Sequence, residues 1–251
     1  MYKYLFLFFI FNRLFAEIIE INKIDKINEY IDQDTLVIFD LDNTVYEKAQ
    51  SYGSDQWYDY TFKTNLEKMK SSDQAFDVTY KEWVQIDAIT EVKPVEKNTK
   101  KIILDLQNKN LKVMALTTRG FSSALAAINQ LNSIEINFSI SSPFSEEIFF
   151  ESGENYKNGI LFANGKNKAE VLQGFFEKIK FKPKKIVFID DKHKNVLSLE
   201  PFCDKENIKY FGLRYGFMDK KVRNFDPDLA LIQKKNFNKK ILTDEEAKKI
   251  R

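Results

Sequence analysis

The sequence predicts an α/β fold built on a doubly wound, mostly parallel sheet. Short apolar runs end abruptly at polar residues, which is typical of buried parallel strands. The runs and the residues that follow them are 35–39 before Asp40, 111–116 before Thr117, and 185–189 before Asp190. Segments with helical spacing of apolar residues lie between the runs, and this alternation predicts a parallel sheet with crossover helices.

Residues 1–16 are predicted to be a signal peptide, and residues 17–251 the α/β domain. Lys3 precedes an apolar run at 4–11, and the segment ends at the small residue Ala16, in the order of a secretory signal. The run is shorter than the roughly 20 residues that span a bilayer. We therefore expect a periplasmic or secreted protein without a stable membrane span. The alternatives are an N-terminal strand or helix of the fold, and anchoring through an uncleaved N-terminus.

Two further segments flank the first predicted strand. Residues 17–34 are predicted to form a helix ahead of it. Residues 46–93 depart from the strand–helix alternation, and their apolar residues Phe76, Tyr80 and Trp83 have helical spacing. We expect this segment to be a small helical cap inserted over the strand ends.

The remaining elements follow the cap. Pro94 suits the first turn of one helix, and another helix is predicted over about 167–179. Residues 147–163 are predicted to form a β-hairpin, with apolar runs at 148–150 and 159–162 around a polar turn. Because open α/β sheets bind ligands beyond the carboxyl ends of their strands, we expect the polar strand endings to meet at one edge.

Composition excludes several classes of protein. The chain has 251 residues, with 39 Lys and Arg against 37 Asp and Glu, and this near balance argues against a nucleic-acid binder. One cysteine and one histidine exclude an intramolecular disulfide, a cysteine-rich zinc site and a multi-histidine metal site. Any bound metal must be held by carboxylates, which favours Mg²⁺.

Asp40 and Asp42 lie two residues apart after the first strand, so both side chains can face the same way. Two carboxylates this close repel each other unless a cation lies beside them. One carboxylate can also attack phosphorus while the other acts as acid and then base. The alternative is a turn, since Asp and Asn after a strand are ordinary turn residues.

Four more residues are candidates for the same site, each with a plain alternative. Asp190 and Asp191 would bind Mg²⁺ or cap the following helix. Thr117 would donate to a phosphate oxygen or simply cap a segment. The Lys168 ammonium would neutralise phosphate charge or lie at the surface. Lys166 is the alternative lysine for the same role.

The order of these residues resembles the haloacid-dehalogenase (HAD) superfamily. The resembling parts are Asp40-x-Asp42-x-Thr44 after a strand, a strand ending in Thr117, a helix-borne Lys168, and a strand ending in Asp190-Asp191. More narrowly, the chain resembles bacterial HAD-like proteins that carry signal peptides and are related to secreted acid phosphatases. Segments 53–57, 115–120 and 212–216 carry that narrower resemblance.

The resemblance implies a Mg²⁺-dependent phosphatase for a small phosphorylated substrate. Asp40 would be the nucleophile that forms an aspartyl-phosphate, and Asp42 would protonate the leaving group and then activate water. The phosphate-binding residues would be Thr117, Thr118 and Lys168. Asp190 would bind Mg²⁺ together with the Asp40 carboxylate and the main-chain carbonyl of Asp42, while Asp191 would assist.

Three further residues are candidates for contact with the substrate. Asp55 and Trp57 in the cap are the expected substrate contacts, and Arg119 would reach an anionic substrate group or pair with an acid. Two alternative functions use the same residues or the same fold: a phosphotransferase, which passes the phosphoryl group to an alcohol, and a non-catalytic envelope protein that keeps the fold for binding.

Overall fold

The predicted sheet forms the centre of a computed structural model, which describes residues 16–238 and 240–251. In chain order the strands are β1 (Glu17–Ile21), β2 (Thr35–Phe39), β3 (Tyr46–Lys48), β4 (Val92–Pro94), β5 (Lys112–Thr117), β6 (Ile148–Phe149), β7 (Asn155–Lys157), β8 (Ile160–Phe162), β9 (Lys185–Asp190) and β10 (Lys209–Tyr215). The main sheet has the order β1-β10-β9-β2-β5-β8-β7-β6, and β3 pairs with β4 in a separate ribbon. Neighbours from β1 to β8 in this order are parallel. The doubly wound, mostly parallel sheet is therefore confirmed.

Helices cover both faces of the sheet. They are α1 (Asp55–Met69), α2 (Ser72–Asp87), α3 (Thr99–Asn108), α4 (Ala124–Ser133), α5 (Lys168–Ile179), α6 (His193–Glu206), α7 (Asp219–Arg223), α8 (Pro227–Lys235) and α9 (Asp244–Ile250). Short 3₁₀ helices lie at Ile24–Glu29, Phe121–Ser123 and Phe138–Ile140.

The central strand β2 shows why two helical layers form. Its side chains alternate between faces, and all five of its residues are buried. Val37 and Phe39 join one core with residues of α3 and α4. Leu36 and Ile38 join the other core with residues of α5 and α6. A strand with apolar residues on both faces needs cover on both, which explains the continuous apolar run in the sequence.

The helix predicted over 17–34 is wrong. Residues Glu17–Ile21 form the edge strand β1, parallel to β10, and only Ile24–Glu29 is helical, as a short 3₁₀ helix. The β-branched isoleucines of this segment suit a strand. Pairing with β10, almost 200 residues away, supplies backbone hydrogen bonds that no local pattern reveals.

Pro94 does not begin a helix. It ends β4, where it pairs with Tyr46 of β3, and α3 begins at Thr99. Proline has no N–H to donate, and a two-stranded ribbon leaves edge positions where none is needed.

The predicted β-hairpin is present as a small antiparallel element, but its pairing differs. The turn region contains a strand of its own, β7, which lies between β6 and β8 and pairs with both. The two runs predicted to pair are therefore not neighbours. Only Tyr156 of β7 is a large apolar side chain, so a three-residue strand flanked by Asn155 and Lys157 resembles a polar turn in sequence.

The segment 46–93 contains the ribbon and the two long helices α1 and α2. Pairing of β3 with β4 brings the ends of the segment together. Ser54 and Ser71 begin the two helices as N-caps, each accepting a hydrogen bond from the backbone three residues on. The segment is thus a helical insertion that leaves and rejoins the sheet domain at one place.

Nearly all of the predicted signal peptide, residues 1–15, lies outside the described residues. No helix in the described ranges is both long and apolar enough to cross a bilayer.

Cys203, in α6, provides a test of the core. The side chain is fully buried, and burial, with a smaller contribution from the Asp204 charge, raises the pKa of its thiol to about 12. Since the thiolate is the reactive form, we expect no labelling of the native protein by a thiol reagent at pH 8, and one label per chain in urea. Rapid labelling of the native protein would contradict this packing of α6.

Candidate active site

The polar endings of three neighbouring strands meet at one edge of the sheet. β2 lies between β5 and β9, and Asp40, Thr117 and Asp190 stand at or just after their carboxyl ends. The Asp40 amide continues the pairing of β2 with β9 by donating to the Ile189 carbonyl at 2.8 Å. The convergence predicted from the strand pattern is therefore found in the structure.

Lys168 joins two of these strand ends. Its Nζ lies 2.5 Å from Oδ1 of Asp40 and 2.6 Å from Oδ2 of Asp190, and its side chain is 1% exposed. It is the first residue of α5, whose N-cap Asn167 accepts from the Ala169 amide. Lys166 instead pairs with Glu154, away from the strand ends. Of the two lysines, Lys168 is therefore the one that lies between the carboxylates at the strand ends.

Asp190 carries more hydrogen bonds than Lys168 alone supplies. Its Oδ1 accepts from the Lys192 amide at 2.7 Å, and both oxygens accept from the Asn195 side chain. Asp190 therefore orders the turn into α6 but does not cap that helix, whose N-cap is Lys192 without a side-chain cap hydrogen bond. Asp191 follows it, and its amide donates to the Thr44 hydroxyl at 3.1 Å.

Three carboxylates form a cluster that fits a divalent cation. Oxygens of Asp40, Asp190 and Asp191 lie within 4.8 Å of one another. Lys168 balances only one of the three charges. Burial raises the pKa of Asp191 well above its ordinary range, and the charges of Asp190 and Asp40 raise it further. Oxygen ligands and surplus negative charge are what Mg²⁺ requires.

Asp42 lies outside that cluster, because its carboxylate is held by Arg119. Nε and Nη2 of Arg119 each lie 2.7 Å from an Asp42 oxygen, in a bidentate pair. Burial raises the pKa of Asp42, but the guanidinium outweighs it and lowers the pKa to about 2. Of the two roles open to Arg119, the structure shows the pair with an acid. The main-chain carbonyl of Asp42 stays the predicted metal ligand.

Arg119 also belongs to a buried polar network that the sequence did not reveal. Its Nη1 lies 3.1 Å from Asp87 and 3.2 Å from Gln130, and Lys48 makes a second, short ion pair with Asp87. All of these side chains are at most 5% exposed apart from Asp42. One signal was available: Asp87 ends α2, and an acid is unfavourable at a helix C-terminus unless a cation binds it.

The loop after β5 carries the two predicted threonines. Thr117 is buried, and its Oγ1 accepts from the Arg119 amide at 3.2 Å, which leaves its hydroxyl proton free to donate. Thr118 is exposed and lines a cavity above the strand ends. Both remain candidates for phosphate binding, in different positions.

The cavity has a volume of about 350 Å³ and lies between the cap and the loops at the sheet edge. Its floor includes Asp42, Thr118 and Arg119, and its cap side includes Asp55. The other lining residues from the cap are Tyr58, Asp59, Phe76, Tyr80 and Trp83.

Trp57 is not where the sequence analysis expected it. It is 5% exposed and packs edge-to-face on Tyr52 in the interior of the cap, with ring centroids 5.2 Å apart. Asp55 does face the cavity, where it pairs with Lys192 at 2.9 Å. The two residues begin α1 together, and helix rotation sends residues two apart to different sides. The aromatic residue that faces the cavity beside Asp55 is therefore Tyr58, three positions on.

Lys168 provides a stability test with a neighbouring control. In Lys168→Met, two buried carboxylates lose their shared cation, and breaking such a pair costs about 3–5 kcal/mol. Lys166→Met removes only a half-exposed pair, worth about 1 kcal/mol or less. Urea unfolding in EDTA, which prevents a divalent cation from replacing the ammonium, measures both. Equal losses in the two variants would contradict the bridging role of Lys168.

Comparison with known proteins places the chain in a family. A protein named "Putative outer membrane protein" from Chlamydia trachomatis is 26% identical over 219 residues, covering 87% of this chain and 82% of that protein. Among solved structures, a hydrolase from Pseudomonas syringae has a TM-score of 0.45 at 13% identity, covering 76% of this chain and 99% of its own. The class C acid phosphatase from Bacillus anthracis has a TM-score of 0.36 at 15% identity, covering 90% and 80%. The family model described as "Protein of unknown function (DUF2608)" matches residues 20–248, and the chain belongs to that family.

Proposed function

We propose that the protein is a Mg²⁺-dependent phosphatase that hydrolyses a phosphate monoester through an aspartyl-phosphate on Asp40. The observation that carries this proposal is the buried Lys168 between Asp40 and Asp190, beside a third carboxylate. A purely structural ion pair needs one acid for one base. Three acids around one lysine, at the ligand-binding edge of the sheet, leave charge for a cation and a phosphoryl group to balance.

Asp40 is positioned to act as the nucleophile. Lys168 holds its Oδ1, and Oδ2 has no hydrogen-bond partner among the described residues, so one oxygen is fixed while the other is free to attack phosphorus. The Lys168 ammonium lies where it can neutralise charge on the phosphoryl oxygens. A bound Mg²⁺, held by Asp40, Asp190 and Asp191, would supply further charge neutralisation.

Asp42 is suited to the second half of the reaction. Arg119 keeps it ionised, and a carboxylate can take the proton of the water that attacks the aspartyl-phosphate. The proton of Thr117 and the exposed hydroxyl of Thr118 are available for phosphate oxygens. The proposed nucleophile, the base for the attacking water and the groups that neutralise phosphate charge therefore come from the ends of β2, β5 and β9 and the start of α5. An ionised Asp42 cannot also protonate the leaving group in the first half of the reaction, so that proton must come from solvent.

We also propose that the protein is located in the cell envelope, outside the cytoplasm. The signal-peptide pattern of residues 1–16 supports this location, and relatives bear the name "Putative outer membrane protein". An enzyme in that compartment would act on phosphate esters that arrive from outside or from the envelope itself.

The catalytic proposal predicts Mg²⁺-dependent hydrolysis of p-nitrophenyl phosphate. Asp40→Asn should reduce it to background, because the amide cannot form the acyl-phosphate. Asp42→Asn should reduce turnover on the order of 10²–10⁴-fold through loss of the base, while still releasing one nitrophenol per chain in a burst. EDTA should abolish the wild-type rate.

Asp34→Asn is the matched control, since Asp34 lies near the opposite end of β2 in an exposed pair with Lys184. Equal rates in wild type and Asp40→Asn would overturn the catalytic assignment. A wild type that neither hydrolyses the ester nor gains thermal stability from beryllium fluoride with Mg²⁺ would favour a non-catalytic binding protein. Nitrophenol in excess over phosphate when glycerol is added would indicate a phosphotransferase.

The location proposal predicts that mature protein from the cell envelope begins at residue 17. N-terminal sequencing of the purified protein measures this directly. An intact Met1 on protein from the cytosol would contradict it, and an intact Met1 on membrane-associated protein would indicate anchoring through the N-terminus.

A further inference from the structure

The cap side of the cavity is made of aromatic rings in two walls. Phe76, Tyr80 and Trp83 follow one face of α2, and their rings stack in a row, with centroids 5.2 and 6.0 Å apart and planes within 10° and 21°. Tyr58 from α1 meets Trp83 edge-on at 78° and 6.0 Å. Phe76 is 44% exposed. Stacking covers part of the faces of Tyr80 and Trp83, so Phe76, at the exposed end of the row, is the ring most open to a ligand.

Carboxylates stand beside these rings. Asp55 and Asp59 are one helical turn apart on α1 and both line the cavity. Lys192 is the cation nearest to them, at 2.9 Å from Asp55 and 3.8 Å from Asp59. The lining at this end therefore has one ammonium for two carboxylates, while Lys63 and Lys194 also act on Asp59 but do not line the cavity. Burial and the Asp55 charge accordingly raise the pKa of Asp59.

Arg119, the other cation of the cavity, is already engaged. It is paired with Asp42 and Asp87, and it lies over the Trp83 ring at 5.1 Å. Thus one ring of the wall already binds a cation by its face. No other lysine or arginine is among the described residues that line the cavity.

These charges restrict what the cap side can bind. The phosphate group itself is anionic and gains nothing from Asp55 and Asp59, so they must face the other part of the substrate. A neutral apolar leaving group would use the rings but not the acids. A leaving group with a positive charge uses both, through cation–π attraction and through Coulomb attraction to the surplus carboxylate.

We propose that the cavity selects phosphate monoesters of amino alcohols, in which an ammonium or quaternary ammonium group lies against the aromatic walls near Asp59. This inference rests on the proposed phosphatase function and adds the class of substrate. A volume of about 350 Å³ is at the small end of ligand cavities and suits a leaving group of this size.

The test compares phosphocholine with 3,3-dimethylbutyl phosphate, which has the same shape but carbon in place of the charged nitrogen. We expect kcat/KM to be about tenfold higher for phosphocholine, equivalent to about 1.4 kcal/mol. Asp59→Asn should reduce this ratio to roughly threefold or less, and Phe76→Leu should also lower it by removing a π face. Asp77→Asn makes the same change on the cap at an exposed residue outside the cavity, and the ratio should not change.

Binding gives a second measurement that needs no turnover. Trp57 and Trp83 are the chain's two tryptophans, so Trp57→Phe leaves Trp83 as the single tryptophan reporter at the cavity. In the double variant Trp57→Phe, Asp40→Asn, phosphocholine should bind about tenfold more tightly than the isostere, with a change in Trp83 emission.

The possible failures differ. Equal kcat/KM for both esters, with Asp40-dependent hydrolysis of p-nitrophenyl phosphate intact, would overturn the substrate class and leave the phosphatase standing. If the wild-type protein hydrolyses neither ester nor p-nitrophenyl phosphate but phosphocholine still binds more tightly than the isostere, the phosphatase proposal is overturned and the cation-selective cavity is supported. Equal binding of the two esters would overturn the inference in either case.

Discussion

The burial of Lys168 is the constraint on which the site depends. An ammonium removed from water needs negative partners in close contact, and here the partners come from the ends of two different strands. Lys168 itself comes from the start of α5. The Lys168 charge is balanced only when β2, β9 and α5 have assembled, so the same contact ties the groups proposed to be catalytic to the completed fold.

The surplus charge around Lys168 has a different consequence. A protein that required only stability would lose little by replacing one of three clustered acids with a neutral residue. Asp40, Asp190 and Asp191 instead stay together at the edge where parallel sheets bind ligands. Repulsion between clustered carboxylates is common at sites that bind a charged ligand. This repulsion is the physical basis of the phosphatase proposal.

A second buried network links the cap to the sheet. Arg119 follows β5, while Asp87 and Lys48 belong to the insertion, and the three make two ion pairs with little exposure to water. Through Arg119 the position of the cap bears on Asp42, the group proposed to activate water. Lys48 and Arg119 also lie over the Trp83 ring, so the same network contacts a residue proposed to select the substrate and a residue proposed to process it.

The sequence by itself determined the fold class and the groups that meet at the strand ends. Apolar runs ending in Asp40, Thr117 and Asp190 specify buried parallel strands, because strand geometry and the burial of both faces leave few other arrangements. Only the tertiary structure decided which partners these groups have. Nothing local distinguishes Lys168 from Lys166, Trp57 from Tyr58, or a pairing of Arg119 with Asp42 from one with a substrate, since each depends on contacts between segments far apart in the chain. The same reason explains the edge strand β1, whose pairing with β10 overrode a local pattern that resembled a helix.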